Sequence, residues 1–270
     1  GSERVPGMQC VILAAGEGRR MRPLTSTRPK VMLPLANRPM LEHLVTAARD
    51  AGVSEFLLVV GYREEEVRRF FGDGSTLGVR IEYAVQRQQR GTADALETAG
   101  EWVGGDFLLM NGDMVLSSAD IRGVMETGPA CMGVAPSGHP EDYGVVQVEG
   151  DRVRGLREKA REPAGNLVNA GIYLFSRDIF PILEGVGLSP RGERELTDAL
   201  SVLIARNSLR AAMVGSWIDV GFPWDLLSAN EMMMEGIESL VRGTVEDGAV
   251  LEGAVQVGEG TVVRAGSCIE

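Results

Sequence analysis

Chemistry is most concentrated between residues 13 and 30, LAAGEGRRMRPLTSTRPK. An apolar run, Val11-Ile12-Leu13, gives way to small residues, then to Gly16 and Gly18, then to four arginines and a lysine. Small residues and glycines let a backbone come close to a ligand, so that consecutive N–H groups point into one space and bind phosphate oxygens. Arginines add charge and forked donors. Leu13, Ala14, Ala15, Gly16 and Gly18 thus form a candidate polyphosphate cradle, with the arginines and Lys30 beside it. No Gly-Lys-Ser/Thr follows, so the loop is not a Walker A motif. Only two glycines are placed and Arg-Arg comes next, so it is not a dinucleotide GxGxxG either. Taken alone, the stretch is equally an ordinary glycine-rich turn. Lysine itself is rare: Lys30 and Lys159 are the only two, against 25 arginines (27 basic residues less 2).

This local positive charge stands in an acidic chain, with a net charge of −11 and a pI near 4.9. That balance argues against nucleic acid as the main partner while leaving room for one basic pocket. No stretch approaches the roughly 20 apolar residues of a membrane span. Cys10, Cys131 and Cys268 are odd in number, far apart and without a CxxC pair, which speaks against a disulfide framework or a zinc site. His43 and His139 are the only histidines, so a His-rich metal site or a Ser-His-Asp triad has little support. The expected compartment is the cytoplasm. Met8 reads as a native start, with residues 1–7 as a remnant in front of it.

The elements that must position the loop follow from alternating patterns. MQCVILA reads as a buried strand. PMLEHLVTAARDAG reads as a helix, with Leu41, Leu44, Val45 and Ala48 on one face and Gly52 as its left-handed stop. FLLVV, YREEEVRRFFG, VRIEYAV, GTADALETAGEWV and DFLLM continue the strand–helix alternation, which implies a mostly parallel sheet covered on both faces. Ligands in such folds sit beyond the carboxyl ends of the strands, where LAAGEG and Asn111-Gly112-Asp113 both fall. CMGVAP, YGVVQVEG, DRVRGLRE and NLVNAGIYLF read as strands of a smaller mixed sheet, with turns at 149–151 and 163–165. ELTDALSVLIARN reads as a helix, AAMVGSWIDV as one strand and FPWDLLSANEMMMEG as a helix.

The C-terminal stretch obeys another period. Val245, Leu251, Val257, Val263 and Ile269 are six apart, and Ala249, Val255, Thr261 and Ser267 each follow four residues after one of them. A period of six suits a β-solenoid, with irregular β-hairpins as the alternative. It resembles the hexapeptide repeat of left-handed β-helices, three units to a coil. The expected fold is therefore α/β: a Rossmann-like, mostly parallel sheet with a smaller mixed sheet (residues 8–236), followed by the start of a left-handed β-helix (243–270) that is incomplete.

The run LAAGEGRRMRPLT…RPKVMLPLANRPMLEH closely resembles the N-terminal signature of the sugar-1-phosphate nucleotidylyltransferases, LAAGxGTRMxPLT…PKxxxPxxxxPxL, with Arg19 in place of the usual threonine. The resemblance extends through QRQQRGTADA, LLMNGDM, YGVV, Glu158-Lys159, NAGIYLF, RGERELTDAL and WIDVGFPWDLLSAN. It implies that Arg20 holds a triphosphate and that Lys30 reaches the reacting phosphates. It implies base recognition by Gln86, Gly91 and Thr92, and Mg²⁺ on Asp113 and Asp219; nothing in their spacing alone pairs these two. It implies a sugar-phosphate site of Tyr143, Gly144, Glu158, Lys159, Asn169 and Arg191, although a solvated Arg191 reads equally well. Ala160 stands where the family's proline usually follows Glu-Lys.

The activity so implied joins a nucleoside triphosphate, UTP or dTTP, to glucose-1-phosphate or N-acetylglucosamine-1-phosphate. The products are an NDP-sugar and pyrophosphate, by Mg²⁺-assisted in-line attack on the α-phosphorus. Neither nucleic acid nor membrane is an expected partner, and the longer native form is expected to be a homo-oligomer. A catalytically silent, nucleotide-sugar-binding regulatory or scaffold relative remains the alternative. Loss of the signature Arg, Lys or Asp would favour it, and none is lost.

Overall fold

A computed structural model describes residues 7–158, 165–189 and 192–270. The chain begins with β1 (Met8–Ala14) and a Pro34–Pro39 hairpin, then α1 (Met40–Ala51), β2 (Val53–Val60), α2 (Glu64–Phe71), β3 (Arg80–Val85) and α3 (Thr92–Glu97). It continues through β4 (Phe107–Asn111), β5 (Met114–Leu116), α4 (Ser118–Thr127), β6 (Cys131–Pro136), β7 (Gly144–Glu149), β8 (Arg152–Glu158) and β9 (Leu167–Phe175). Then come α5 (Ile179–Glu184), α6 (Leu196–Ala205), β10 (Arg210–Met213), β11 (Trp217–Asp219) and α7 (Asp225–Met234).

Local sequence explains several of these elements. In α1 the buried residues Met40, Leu41, Leu44, Val45, Ala48 and Ala51 fall on one face, as helical periodicity requires. Gly52 ends the helix at φ 112°, where its N–H meets the carbonyls of Ala48 and Arg49. In α2 three glutamates open the helix and two arginines close it, matching the helix dipole at both ends. Ser117 caps α4 by accepting from the Asp120 N–H at 3.1 Å.

Nine strands form one sheet in the order β3-β2-β1-β4-β9-β6-β10-β8-β7. The first four run parallel, as the alternation predicts. Beyond them the reading needs correction. β9 is antiparallel to both β4 and β6, so the sheet is mixed rather than mostly parallel. The smaller mixed sheet expected separately is the far half of this one. β7 also pairs back to β9 at Val145 and Val168, so that half curls on itself. The two faces carry separate apolar cores. One packs α1, α2 and α4 through residues such as Ile12, Leu44, Phe56 and Val124. The other packs α3, α5 and α6 through Val11, Leu96, Phe107 and Leu200.

Two further expectations change. Residues 211–220 are not one strand. The Asp120 carboxylate accepts the N–H groups of Gly215 and Ser216, at 2.8 and 3.0 Å, and bends the chain there. β10 therefore stays in the main sheet while β11 leaves it to pair antiparallel with β5. The helix expected over 91–103 is regular only to Glu97 and then continues as turns.

The six-residue period has a structural counterpart. Thr244–Val245 pairs in parallel with Val262–Val263, and Val250–Leu251 with Cys268–Ile269, each 18 residues on. Val255, Val257 and Val263 are buried among Val245, Ala249 and Leu251. All three cysteines are free. No described helix is long and apolar enough to cross a membrane.

Candidate active site

The loop after β1 is shaped by close packing. Gly18 has φ +65°, and a Cβ there would lie 2.8 Å from the Lys30 Cβ and 3.2 Å from Thr25 Cγ2. Thr25, fully buried, donates its hydroxyl to the Gly18 carbonyl at 2.9 Å. A single 3₁₀ turn, Arg19–Met21, follows. It divides the arginines. Arg19 turns back to Glu17 at 2.6 Å, and Arg22 bonds the same carboxylate. Arg20 instead lies over the Phe222 ring, 4.7 Å from its centroid, a cation–π contact that fixes a guanidinium. The loop's excess charge is therefore partly neutralised internally, and Arg20 is the arginine left facing the centre.

Lys30 is almost completely buried, 7% exposed, with its Nζ 2.7 Å from Asp113 Oδ2. Asp113 follows β4 in a tight turn. The Gly112 N–H donates to the Leu13 carbonyl at 2.9 Å, binding this turn to the end of β1. The antiparallel β5–β11 ladder sets Asp219 opposite Met114, and the Val220 N–H donates to the Asp113 carbonyl at 2.9 Å. Two aspartates 106 positions apart (219 less 113) thus become neighbours. Burial, and then the Asp113 charge, push the Asp219 carboxyl up to about 7; Lys30 and Arg20 pull it the other way. Asp225, which opens α7, accepts the Gly221 and Phe222 N–H groups at 2.8 and 2.7 Å. It thereby shapes the turn that carries Phe222 under Arg20.

A cavity of about 440 Å³ opens at the carboxyl ends of β1 and β4. Leu13, Ala14, Ala15, Gly16, Lys30, Gln86, Gly91, Thr92, Asp113, Glu158 and Asn169 line it. A second cavity, of about 530 Å³, adjoins it through Gly16, Lys30 and Asp113 and takes in Gly18 and Arg20. Other candidates stand apart. Tyr143 lines neither cavity; its ring packs edge-on against Trp217, centroids 5.3 Å apart. Burial and then Asp219 push its hydroxyl up to about 12. Gly144 lies opposite Glu158 on the β7–β8 ladder, where a Cβ would come within 3.1 Å of Glu158 Oε1. Lys159 and Arg191 lie outside the described residues.

The wall of the first cavity is laced to a distant segment. Arg194 bonds Glu97 through two nitrogens and also the carbonyls of Leu183 and Val186. Its own carbonyl accepts the Ala93 N–H at 3.0 Å. Thr92 Oγ1, offered as a ligand contact, accepts the Leu196 N–H at 2.9 Å. A Cβ on Gly91 would lie 2.1 Å from the Arg194 carbonyl, at a φ of +107°. Gly91→Ala is therefore expected to cost about 1–3 kcal/mol and to weaken nucleotide binding. Denaturant melts paired with nucleotide titration check it, and an unchanged midpoint would refute the close contact.

Sequence reasoning left out Gln89, Asn111, Tyr173, Glu193 and Glu195, which also line the first cavity. Gln89 bonds the Ala15 carbonyl at 3.2 Å, tying the 86–91 loop to the cradle. Tyr173 lies inside an apolar strand and carried no local signal; its hydroxyl meets the Asn169 side chain. Neither histidine enters the site. His43 is buried with Nε2 2.8 Å from the Leu35 carbonyl, and His139 is exposed beside Glu141.

Known proteins share this arrangement of sequence. The family model described as Nucleotidyl transferase matches residues 9–236. Bifunctional protein GlmU of Methanococcus maripaludis is 40% identical over 262 residues, covering 95% of this chain and 62% of its own length. The chain thus spans about three fifths of that curated relative. A glucose-1-phosphate thymidylyltransferase of Streptomyces antibioticus is 35% identical over 265 residues, covering 95% of this chain and 74% of its own. Among solved structures, a Bacillus anthracis protein described as a glucose-1-phosphate thymidylyltransferase, crystallised with sucrose, superposes with a TM-score of 0.79 at 29% identity. That match covers 84% of this chain and 96% of the other. With the family model spanning both cores and the loop between them, this chain belongs to the nucleotidyl transferase family.

Proposed function

We propose that the chain is a sugar-1-phosphate nucleotidylyltransferase, joining UTP or dTTP to glucose-1-phosphate or N-acetylglucosamine-1-phosphate with release of pyrophosphate. The observation that carries this reading is the meeting of Lys30, Asp113 and Arg20's cavity at the mouth of β1, continuous with the cavity bounded by Gln86 and Glu158. Two anionic substrates need such a bipartite space with cationic groups at the junction.

In this mechanism a phosphate oxygen of the sugar phosphate attacks the α-phosphorus. The bond to the bridging oxygen of the β-phosphate breaks opposite it, and that oxygen leaves with pyrophosphate. The nucleophile is already ionised, so no strong base is required. Rate comes from holding two anions together and from neutralising charge that builds on the phosphates. Lys30 sits where the two substrates meet and offsets their repulsion. Arg20, braced by Phe222, neutralises the departing pyrophosphate. Glu158 and Asn169 face the sugar, and Lys159 with Arg191 hold its phosphate.

Two carboxylates side by side, one of them disfavouring its own charge, suit a divalent cation. Asp113 and Asp219 would hold Mg²⁺, and substrate oxygens and water would complete its ligands. When bound, Mg²⁺ supplies Lewis-acid charge to the phosphate oxygens. Residues 8–236 form the transferase domain in this reading. Residues 243–270 begin a left-handed β-helix, supported by the 18-residue register and the inward valines. The enzyme acts in the cytoplasm as a homo-oligomer.

The test is pyrophosphate release with Mg²⁺ across UTP, dTTP, GTP, ATP and CTP against glucose-, N-acetylglucosamine-, glucosamine- and mannose-1-phosphate. A signal confined to uracil or thymine nucleotides with a gluco-configured sugar is expected. Silence throughout, from a folded protein that binds nucleotide sugar, would overturn the reading.

A further inference from the structure

The first cavity ends at Gln86, and the structure specifies which end of that side chain faces inward. Gln86 is 8% exposed. Its Nε2 donates to the Gly91 carbonyl and to Asp94 Oδ2, both at 3.1 Å. Both partners are acceptors only, so the amide cannot be reversed without setting oxygen against two oxygens. Oε1 has no hydrogen-bond partner among the described residues, yet no buried side-chain oxygen there is left unsatisfied. Oε1 is therefore open to the cavity that Gln86 lines. Just before Asp94, the Ala93 N–H donates to the Arg194 carbonyl and Thr92 Oγ1 accepts the Leu196 N–H. Asp94 itself lies in the first turn of α3. The orienting acceptor thus stands on fixed backbone.

We propose that Asp94 is a specificity-determining residue: by holding the Gln86 amide nitrogen, it presents only an oxygen to the base, and so selects pyrimidines that carry a ring N–H. This rests on the nucleotidyl-transfer reading above for the identity of the ligand. Uracil and thymine offer N3–H between two carbonyls, a donor for Oε1. Cytosine offers a lone pair at N3, which would face that oxygen unpaired. Sites built on a buried hydrogen bond reject the analogue that lacks its partner far more strongly than sites built on shape. The amide polarity does not distinguish uracil from thymine, which share the N3–H. Asp94 acts through Gln86 and does not itself meet the base.

The test compares kcat/KM for UTP and CTP, with glucose 1-phosphate as second substrate, in the wild type and in Asp94→Asn. Asparagine can donate to the Gln86 oxygen and so permits the reversed amide. Wild type is expected to prefer UTP by about a hundredfold or more. Asp94→Asn is expected to shrink that ratio about tenfold, lowering turnover of UTP and raising that of CTP, with KM for glucose 1-phosphate unchanged. A purely structural role would lower both nucleotides together and leave the ratio intact. Asp94→Ser, whose hydroxyl donates as well as accepts, replaces the asparagine variant if that fails to fold. An unchanged ratio in a folded variant, or a wild type that treats UTP and CTP alike, overturns the proposal. Calorimetric titration with UTP and CTP reads the same discrimination without turnover. A protein inactive on every substrate pair but still selective for UTP would sink the transfer reading and keep this one.

Discussion

Lys30→Ala is expected to lower kcat/KM about a thousandfold while the chain stays folded. The argument rests on where the ammonium lies. It is nearly excluded from water, its Nζ is 2.7 Å from Asp113, and both cavities reach it. A cation at that junction is worth more than one in water, because little solvent screens it. The phosphates would gain charge in the transition state, so its loss should fall mainly on kcat. Lys30 is not itself a member of either apolar core. Stopped-flow and steady-state pyrophosphate assays separate kcat from KM, and near-normal kcat would remove Lys30 from the chemistry. Lys30→Arg tests the geometry: a planar fork does not reproduce a compact ammonium, and only a small fraction of the rate should return.

The second large effect is a trade of activity for stability at Asp219. Asp219→Asn is expected to abolish most turnover yet to raise the melting temperature of the metal-free protein at pH 8. The carboxyl is pushed up to about 7 in the fold, well above the ordinary aspartate value of 3.8, first by burial and then by the Asp113 charge beside it. A raised acid binds more protons folded than unfolded. Its charge therefore costs stability progressively as pH climbs from about 4 to 7, and the cost is constant above that. The advantage of Asn over Asp should accordingly be small near pH 5, grow to pH 7 and then level off. Mg²⁺ with nucleotide should reverse the order by stabilising wild type alone. Thermal melts at pH 5, 7 and 8, with EDTA or with Mg²⁺ and UTP, show this directly. A variant less stable than wild type in EDTA at pH 8 would refute the electrostatic account.

Much of this protein was legible in its linear order because the relevant signals are local. Buried strands such as VILA and LLVV announce themselves as short apolar runs, and α1 as a stripe with a glycine stop. The 18-residue register of the C-terminal strands is the six-residue period made visible. The segment from Leu13 to Gly18 stood out for the same reason: glycines and arginines are adjacent in the chain, and the structure puts Leu13, Ala14, Ala15 and Gly16 on the wall of the first cavity.

What only the tertiary structure decided involves partners far apart in sequence. Nothing near Asp113 names Asp219; the β5–β11 ladder does, and that ladder exists because Asp120 bends residues 215–216 out of the main sheet. Nothing in GRRMRP says which arginine turns inward; Glu17 claims Arg19 and Arg22, and Phe222 braces Arg20. The sequence singles out Gln86, but the direction of its amide is set by Asp94 and the Gly91 carbonyl. The curl of the sheet at β7 and β9 likewise depends on pairing between strands with no sequence adjacency. Sequence determined which segments could form and which groups were available. Burial, charge pairing and hydrogen-bond competition across the fold determined which of those groups meet, because each depends on neighbours that only folding supplies.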